Sequence, residues 1–307
     1  MKKWILRFGL LLSLAALLAP NRAFACACGC GVFEVGTASM LPTHPGGMAF
    51  VEYDELNQNR NWSRYSRGSD DDNADKLLRT NFFTAGVQYM VNRSWGLQAE
   101  LPYWNRTFRT TDDSGAPLAS VHSAVGDIRL RGIYTGFSGD MSSGLTFGLK
   151  LPTGDFSFPD FDRDTEIGTG STDLLLGAFR VGRVPSALGW AWFANAVLDQ
   201  PVLTAGGYRP GGELDAAIGG YYDRTRLGDV TVAPVAQLVG SHRLRDSGTL
   251  GHFTDSGYDR ILLAPGLEFD TALVRVYGDV GFPLYQYVHG NQLVAKALFK
   301  LNVGYRF

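Results

Sequence analysis

The chain is 307 residues long and nearly neutral, with 28 Lys and Arg against 30 Asp and Glu, and 45% of its residues are apolar. This balance of charges gives no electrostatic reason to expect a nucleic-acid partner. Beyond residue 25 no apolar run is long enough for a transmembrane helix, and all three cysteines fall within residues 26–30. The composition therefore excludes a helical membrane protein and a domain held together by disulfides.

Residues 1–25 have the organisation of a secretory signal peptide. A basic start precedes an apolar stretch over 8–19, which is shorter than a bilayer-spanning helix requires. Ala23-Phe24-Ala25 then forms a small-x-small motif, so we expect cleavage after Ala25. A bacterial lipoprotein with lipid on Cys26 is the alternative, although alanine stands three positions before the cysteine, where such a motif favours leucine.

Residues 26–47 are rich in Gly and Pro, lack strand-like alternation and carry every cysteine of the chain. Thiolates at Cys26, Cys28 and Cys30, with His44 as a fourth ligand, would suit a soft metal such as Cu(I) or Zn. Two of the cysteines would instead form a disulfide in an oxidising compartment, leaving one odd thiol. The sequence leaves metal binding, disulfide formation and lipidation open.

Alternating apolar and polar residues predict twelve β-strands between Met48 and Phe307. In the segment 94–105, apolar side chains occupy every second position, while Gln98 and Glu100 share the opposite face. Segments of about ten residues are what a tilted membrane-spanning strand requires. The predicted strands span 48–56, 80–91, 94–105, 125–137, 143–152, 171–182, 188–198, 213–223, 229–240, 260–269, 272–283 and 293–307.

The connections between these segments alternate between long and short. The long polar connections are 57–78, 106–124, 153–170, 199–212, 241–258 and 285–292. An even number of antiparallel strands with short periplasmic turns and long extracellular loops is typical of an outer-membrane barrel, whereas a soluble β-sandwich or propeller is the alternative. We therefore expect an all-β protein with a transmembrane antiparallel β-barrel over 48–307. Residues 26–47 would lie in the periplasm or enter the barrel as a plug.

The last predicted strand supports this fold. Its apolar face ends with Tyr305 and Phe307, while Lys300 and Arg306 lie on the other face. The strand resembles the closing strand of bacterial outer-membrane barrels, whose terminal phenylalanine is part of the signal for assembly. This resemblance implies a location in the Gram-negative outer membrane, contact with its lipid, and recognition of Tyr305 and Phe307 by the barrel-assembly machinery.

Three motifs near the middle of the chain resemble those of a known family. They are Gly126-Asp127, Leu151-Pro152-Thr153-Gly154 and Gly168-Thr169-Gly170-Ser171-Thr172-Asp173. The phenol-degradation MetA-pathway family of outer-membrane proteins has similar motifs in the same order, and it is loosely related to channels of the fatty-acid-transporter type. The resemblance covers 125–182 and implies passive uptake of small, often aromatic or apolar molecules. Independently of any family, Pro and Gly at 152–154 would end a strand and turn the chain.

Charged residues on the predicted inward faces are candidates for lining the lumen, because charges facing lipid would cost several kcal/mol. They would form either a polar constriction that selects solutes or a paired network that fills a narrow barrel. The candidates are Glu52, Asp54, Glu100, Asp127, Arg129, Arg131, Lys150, Asp173, Arg275, Asp279, Lys296 and Lys300.

The sequence does not favour an enzyme. It has no Gly-x-Ser-x-Gly motif, and all five histidines lie outside the predicted strands. His242 and His252, in one predicted loop with Asp246 and Asp255, are the best candidates for a metal or acid–base pair. We expect instead a passive channel or transporter for a small solute, without catalysis or an obligatory cofactor. The alternative is a metal-binding or structural outer-membrane protein that uses the cysteine segment, with the barrel as its anchor.

Overall fold

The computed structural model describes residues 40–42, 44–112 and 114–307, which form an all-β structure. A short 3-10 helix, Asp70–Asp72, interrupts one connection. The strands are β1 Gly46–Arg64, β2 Ser66–Arg67, β3 Leu77–Met90, β4 Trp95–Thr111, β5 Pro117–Val125, β6 Ile128–Tyr134, β7 Ser143–Leu151, β8 Ser171–Arg183, β9 Trp190–Thr204, β10 Glu213–Tyr222, β11 Thr225–Leu227, β12 Val230–Arg243, β13 Tyr258–Asp270 and β14 Val274–Arg306. Within the described ranges, no helix is long and apolar enough to cross a membrane.

Eleven of these strands close into an antiparallel barrel that follows the order of the chain. Closure occurs where β1 pairs with β14, for example Met48 with Arg306. β14 is itself a hairpin, because its first half pairs with β13, its second half pairs with β1, and the chain reverses near Gly290, whose φ is +65°. The wall built by the described residues therefore has twelve segments, in agreement with the prediction. β2, β5 and β11 lie outside it, each paired with one neighbour.

The two faces of the wall differ as the alternation predicts. Leu97 and Ile218, on the outer face, are 66% and 59% exposed, whereas Phe82 and Phe193, on the inner face, are buried. A continuous outer band of apolar side chains is stable in contact with lipid, and the closed ladder leaves the strands' backbone groups paired within the protein. The prediction of a transmembrane β-barrel is confirmed.

Several strands continue beyond their predicted ends. β1 runs to Arg64 and β4 to Thr111, so parts of the predicted loops 57–78 and 106–124 are strand. The predicted loop 285–292 lies wholly within β14. These continuations are rich in polar residues, which is why their composition indicated loops. A strand that has left the hydrocarbon layer keeps its ladder of hydrogen bonds while both of its faces become polar.

Candidate functional site

Two cavities lie at different levels inside the described part of the barrel, and a smaller one of about 20 Å³ lies beside Asp279 and Lys300. The lower cavity, about 100 Å³, lies towards the short turns, and the upper cavity, about 60 Å³, lies towards the long loops. Trp104 and Arg129 border both of them. The walls of the lower cavity include Leu41, Phe50, Phe82, Gln88, Gln98 and Phe179. Those of the upper cavity include Lys150, Arg163, Glu166, Ile167, Asp199 and Arg243.

Opposite charges are paired across the lower part of the lumen. Lys300 Nζ lies 2.6 Å from Glu52 Oε1 and 3.0 Å from Asp54 Oδ1. Arg131 Nη1 lies 2.9 Å from Glu100 Oε1. Because these side chains are largely removed from water, each carboxylate depends on its cation for compensation.

The upper part of the lumen contains a second set of ion pairs. Lys150 Nζ lies 2.5 Å from Asp173 Oδ2 and 2.9 Å from Asp199 Oδ2. Arg243 Nη2 lies 2.6 Å from Asp246 Oδ1, and both of these side chains are buried. The charged walls are therefore organised as networks that join neighbouring strands.

Eleven of the twelve predicted lumen residues point into the barrel. Arg275, near the turn between β13 and β14, has its Nη2 3.1 Å from Asp270 Oδ2, and Asp279 accepts a 3.0 Å hydrogen bond from Gln237. The remaining nine are the residues of the ion-pair networks just described together with Arg129, on the wall of both cavities, and Asp127. Their part in solute selection stays a prediction.

Lys296 differs from the prediction, because its side chain is exposed on the outside of the wall. A β-bulge in β14 shifts its pairing with β1 at this point, because one more residue lies between Ala295 and Leu298 than between their partners Gln58 and Leu56. As a result, Ala295 joins the buried cluster that also contains Leu298. A shift of one residue moves a strand's side chains to the opposite face, and strict alternation from the end of the chain does not anticipate it.

The three motifs that carry the family resemblance meet at one point. Asp127 Oδ1 accepts the N–H of Gly154 at 3.0 Å, and its Oδ2 accepts the N–H of Thr169 at 2.8 Å. Gly168 packs so closely that a Cβ there would lie 2.3 Å from the carbonyl oxygen of Gly154. We call these four residues the clasp. The motifs therefore hold together the two ends of the connection between β7 and β8, a structural role.

Replacing Asp127 by asparagine should loosen the clasp. The amide keeps the shape but loses one acceptor, so a backbone N–H at the base of the loop is left without its partner, at a cost of about 1–3 kcal/mol. We expect trypsin to cut the refolded barrel at Arg163, inside this loop, roughly tenfold faster than in the parent protein. Asp229→Asn, in an exposed turn at the other end, is the matched control. Equal cleavage of both variants would contradict the role of the clasp.

The connection closed by the clasp, residues 152–170, folds into the lumen rather than projecting outward as the prediction of a long extracellular loop implied. Ile167, the residue directly before the clasp, is completely buried. Its cluster comprises Leu56, Phe82, Trp104, Ala217, Val239, Leu262, Ala295 and Leu298. These side chains come from seven strands around the barrel, so Ile167 fills the space between opposite walls.

Arg106 holds this loop from the wall and is also completely buried. Its Nη1 donates to the carbonyl oxygens of Thr165, at 2.5 Å, and Glu166, at 2.7 Å. Arg106 was not predicted as an inward-facing residue, because it begins a predicted loop. The signal was present, since Trp104, Arg106 and Phe108 continue the inward alternation of β4 and all three are buried.

Two residues that shortly precede Ile167 in the loop, Asp164 and Glu166, carry carboxyl groups. Burial raises the pKa of Glu166 to about 7, and the nearby carboxylate of Asp155 adds to this effect. Burial also raises the pKa of Asp164 to about 6, against the attraction of His252. Glu166 Oε2 is buried and has no hydrogen-bond partner. Near neutral pH, both protonation states of Glu166 are therefore populated.

The described end of the N-terminal segment enters the lower cavity. Met40, Leu41 and Pro42 line it, and Leu41 packs against two apolar clusters on different parts of the wall. The members of these clusters are Met90, Ile133, Met141, Phe179, Phe193, Val235 and Tyr277. This position fits the plug alternative for the visible part of the segment.

The metal hypothesis concerns residues that the structure places only in part. Cys26, Cys28 and Cys30 lie outside the described residues, so metal binding, a disulfide and lipidation stay predictions. His44 is exposed, with its Nδ1 3.2 Å from the carbonyl oxygen of Pro45. In the part of the chain that is described, no group of three or more His, Cys, Asp or Glu side chains is arranged to hold a metal ion.

The histidines were predicted outside strands, and for three of them this is wrong: His122 lies in β5, His242 in β12 and His289 in β14. His242 Nδ1 lies 2.6 Å from Asp259 Oδ1 at the surface. His252 instead interacts with the acidic residues of the 152–170 loop. His242 and His252 therefore face different carboxylates, and the structure does not bring them together as one metal or acid–base site.

No protein-family model matches the chain, and no curated protein matches it in sequence. Solved structures match its fold. The COG4313 outer membrane channel from Pseudomonas putida F1 superposes with a TM-score of 0.66 at 16% identity, over 89% of this chain and 100% of that chain. The protein is an outer-membrane β-barrel. The β domain of the Bordetella autotransporter Brka also matches, with a TM-score of 0.54 at 11% identity, over 86% of this chain and 100% of that one.

Proposed function

We propose that this outer-membrane barrel is a passive channel for small apolar or aromatic molecules. The observation that carries the proposal is the lining of the lower cavity, where aromatic rings stand beside side-chain amides. The rings are those of Phe50, Phe82, Trp104 and Phe179, and the amides are those of Gln88, Gln98 and Asn195. The same wall includes charged side chains, of which Glu52 and Glu100 are held in ion pairs. Aromatic rings combined with placed polar groups are typical of sites for small organic molecules.

Two further observations support a channel. The chain has the fold of a solved outer-membrane channel. Its three clasp motifs resemble those of the MetA-pathway family, for which uptake of aromatic or apolar compounds is implied. We propose movement down a concentration gradient without a chemical step, since the charged side chains along the lumen are engaged in ion pairs.

Uptake into porin-deficient Gram-negative cells tests this function, because lipopolysaccharide slows apolar solutes in such cells. Cells that express the protein should accumulate radiolabelled phenol several times faster than cells with an empty vector. Arabinose, a hydrophilic solute of similar size, should enter at the background rate. Equal stimulation of both solutes would indicate a general pore, and no stimulation of phenol entry would overturn the proposal.

Assembly through the final strand is also a proposal. The side chain of Phe307 is 62% exposed, and its backbone exchanges hydrogen bonds with Gly47 of β1. Tyr305 lies on the same outer face and is 51% exposed. These two rings are therefore accessible to a partner that binds the strand before or during barrel closure.

A further inference from the structure

We propose that the 152–170 loop is the constriction that controls passage along the lumen, with Ile167 as the residue that separates the upper cavity from the lower one. The inference rests on the proposed channel function. It assigns the control of passage to residues 152–170 rather than to the N-terminal residues 40–42. It also assigns a function to Arg106 and to the clasp, which hold the loop in place.

Ile167 belongs to an apolar cluster that extends around the inside of the barrel. It is 0% exposed, and the other buried members of the cluster belong to β1, β3, β4, β10, β12, β13 and β14. An apolar cluster that reaches from wall to wall excludes water and therefore stops ions and hydrophilic solutes. The two cavities lie on either side of this level, with Trp104 on the wall of both.

The loop is anchored in this position by contacts at several points. The clasp joins its two ends, and Arg106 binds two of its carbonyl oxygens. Within the loop, Arg163 donates to the carbonyl oxygen of Thr169 at 2.6 Å, and its guanidinium lies 4.6 Å from the ring centroid of Tyr208. Ile167 directly precedes Gly168 of the clasp, so its release from the lumen requires the Arg106 contacts or the clasp to loosen, whereas the pairing of the barrel strands is unaffected.

The loop and residues 40–42 of the N-terminal segment lie at different levels of the lumen. Leu41 packs against side chains near the short turns, such as Met90 and Phe179, and none of its cluster partners is shared with Ile167. The lumen thus has two apolar barriers in series. Since resistances in series add, removing either barrier alone leaves the other to limit the current.

Single-channel conductance of the full-length refolded protein in planar bilayers tests the inference, with potassium chloride as the probe. Ile167→Ala should raise conductance by at most about twofold in the parent chain. In a Leu41→Gly background, where the first barrier is weakened, the same substitution should raise it by about fivefold or more. In the same Leu41→Gly background, Ile167→Val keeps the branched side chain and should therefore give a conductance close to that of Leu41→Gly alone.

Ile218→Ala is the matched control, because Ile218 faces outward and is 59% exposed. Folding of every variant is checked by the heat-dependent shift of barrel mobility on gels. The inference is overturned if Ile167→Ala adds no conductance in the Leu41→Gly background, or if Ile218→Ala has the same effect. If the protein does not stimulate phenol uptake but Ile167→Ala still raises conductance, the proposed function is rejected, whereas the assignment of the constriction is supported.

Discussion

Replacing Lys300 by methionine should destabilise the barrel by about 3–5 kcal/mol, because two buried carboxylates then lose the cation between them. Glu52 and Asp54 approach the same ammonium group at 2.6 and 3.0 Å. Without it the two carboxylates, which are two residues apart on the same strand and largely buried, repel each other. The pair belongs to β1, while Lys300 belongs to β14, so the lost attraction acts directly on the closure of the barrel.

Lys296→Met is the matched control, since this lysine lies four residues earlier on β14 but is exposed outside. Lys296→Met breaks no buried ion pair, so its free energy of unfolding, measured by guanidinium titration in lipid vesicles, should fall by no more than about 0.5 kcal/mol. Adding Glu52→Gln and Asp54→Asn to Lys300→Met should recover most of the loss. If Lys300→Met is as stable as Lys296→Met, the carboxylates are hydrated and the network is not a structural one.

Raising the pH from about 5 to about 8 should open the 152–170 loop. The closed loop raises the pKa of Glu166 from its ordinary value of 4.5 to about 7, so the closed state binds more protons between these values. Its stability is therefore full below about pH 4.5, falls as the pH rises from there to about 7, and changes little above 7. We expect the ratio of closed to open loop to fall by about tenfold to a hundredfold over this range.

Several charged groups face Glu166 and modulate this transition. Asp155 raises the pKa further, whereas Arg163 and Arg106 oppose the shift, as does the backbone N–H of Phe158. The other charged groups of the upper cavity are Asp127, Arg129, Lys150, Asp164, Asp173, Asp199, Glu213, Asp215 and Arg243. The pKa of Glu166 is therefore raised, because the effect of burial exceeds the attraction of the two guanidinium groups.

Conductance of the Leu41→Gly protein as a function of pH measures the transition. It should rise mainly between about pH 5 and 7 and, after Glu166→Gln, should retain only a smaller rise that is complete by about pH 6, from Asp164. Glu55→Gln is the control, because Glu55 lies outside the barrel beside Arg79 and should leave the curve unchanged. A conductance that falls with pH, or a curve insensitive to Glu166→Gln, would contradict the prediction.

The barrel could be predicted from the sequence because each strand has one apolar and one polar face. Phe83 and Val87, assigned to the outer face by their spacing, are 43% and 42% exposed, while Gln88 and Glu100 are buried inside. This periodicity depends only on local backbone geometry and is readable in a single chain. Even the hairpin within β14 was predicted, as two separate strands.

The candidate site was predictable only in part, because its key features depend on contacts between distant segments. The position of Lys296 depends on a β-bulge in β14, which appears only when the pairing with β1 is known. The 152–170 loop reads as polar and extracellular, and only its tertiary contacts with Asp127 and Arg106 bring Ile167 into the lumen. The motifs were visible in the sequence, but their meeting at the clasp was not.

The seam between β1 and β14 also determines the order of events during folding. It joins positions far apart in the chain, such as Lys300 and Glu52, which are 248 residues apart. Non-local pairing of this kind is slow, because a large loop-closure entropy must be overcome before any contact is gained. Until the seam has formed, no enclosed lumen exists for Leu41, whose segment leads directly into β1. Burial of position 41 is therefore a late event, and its protection from solvent reports that the barrel has closed.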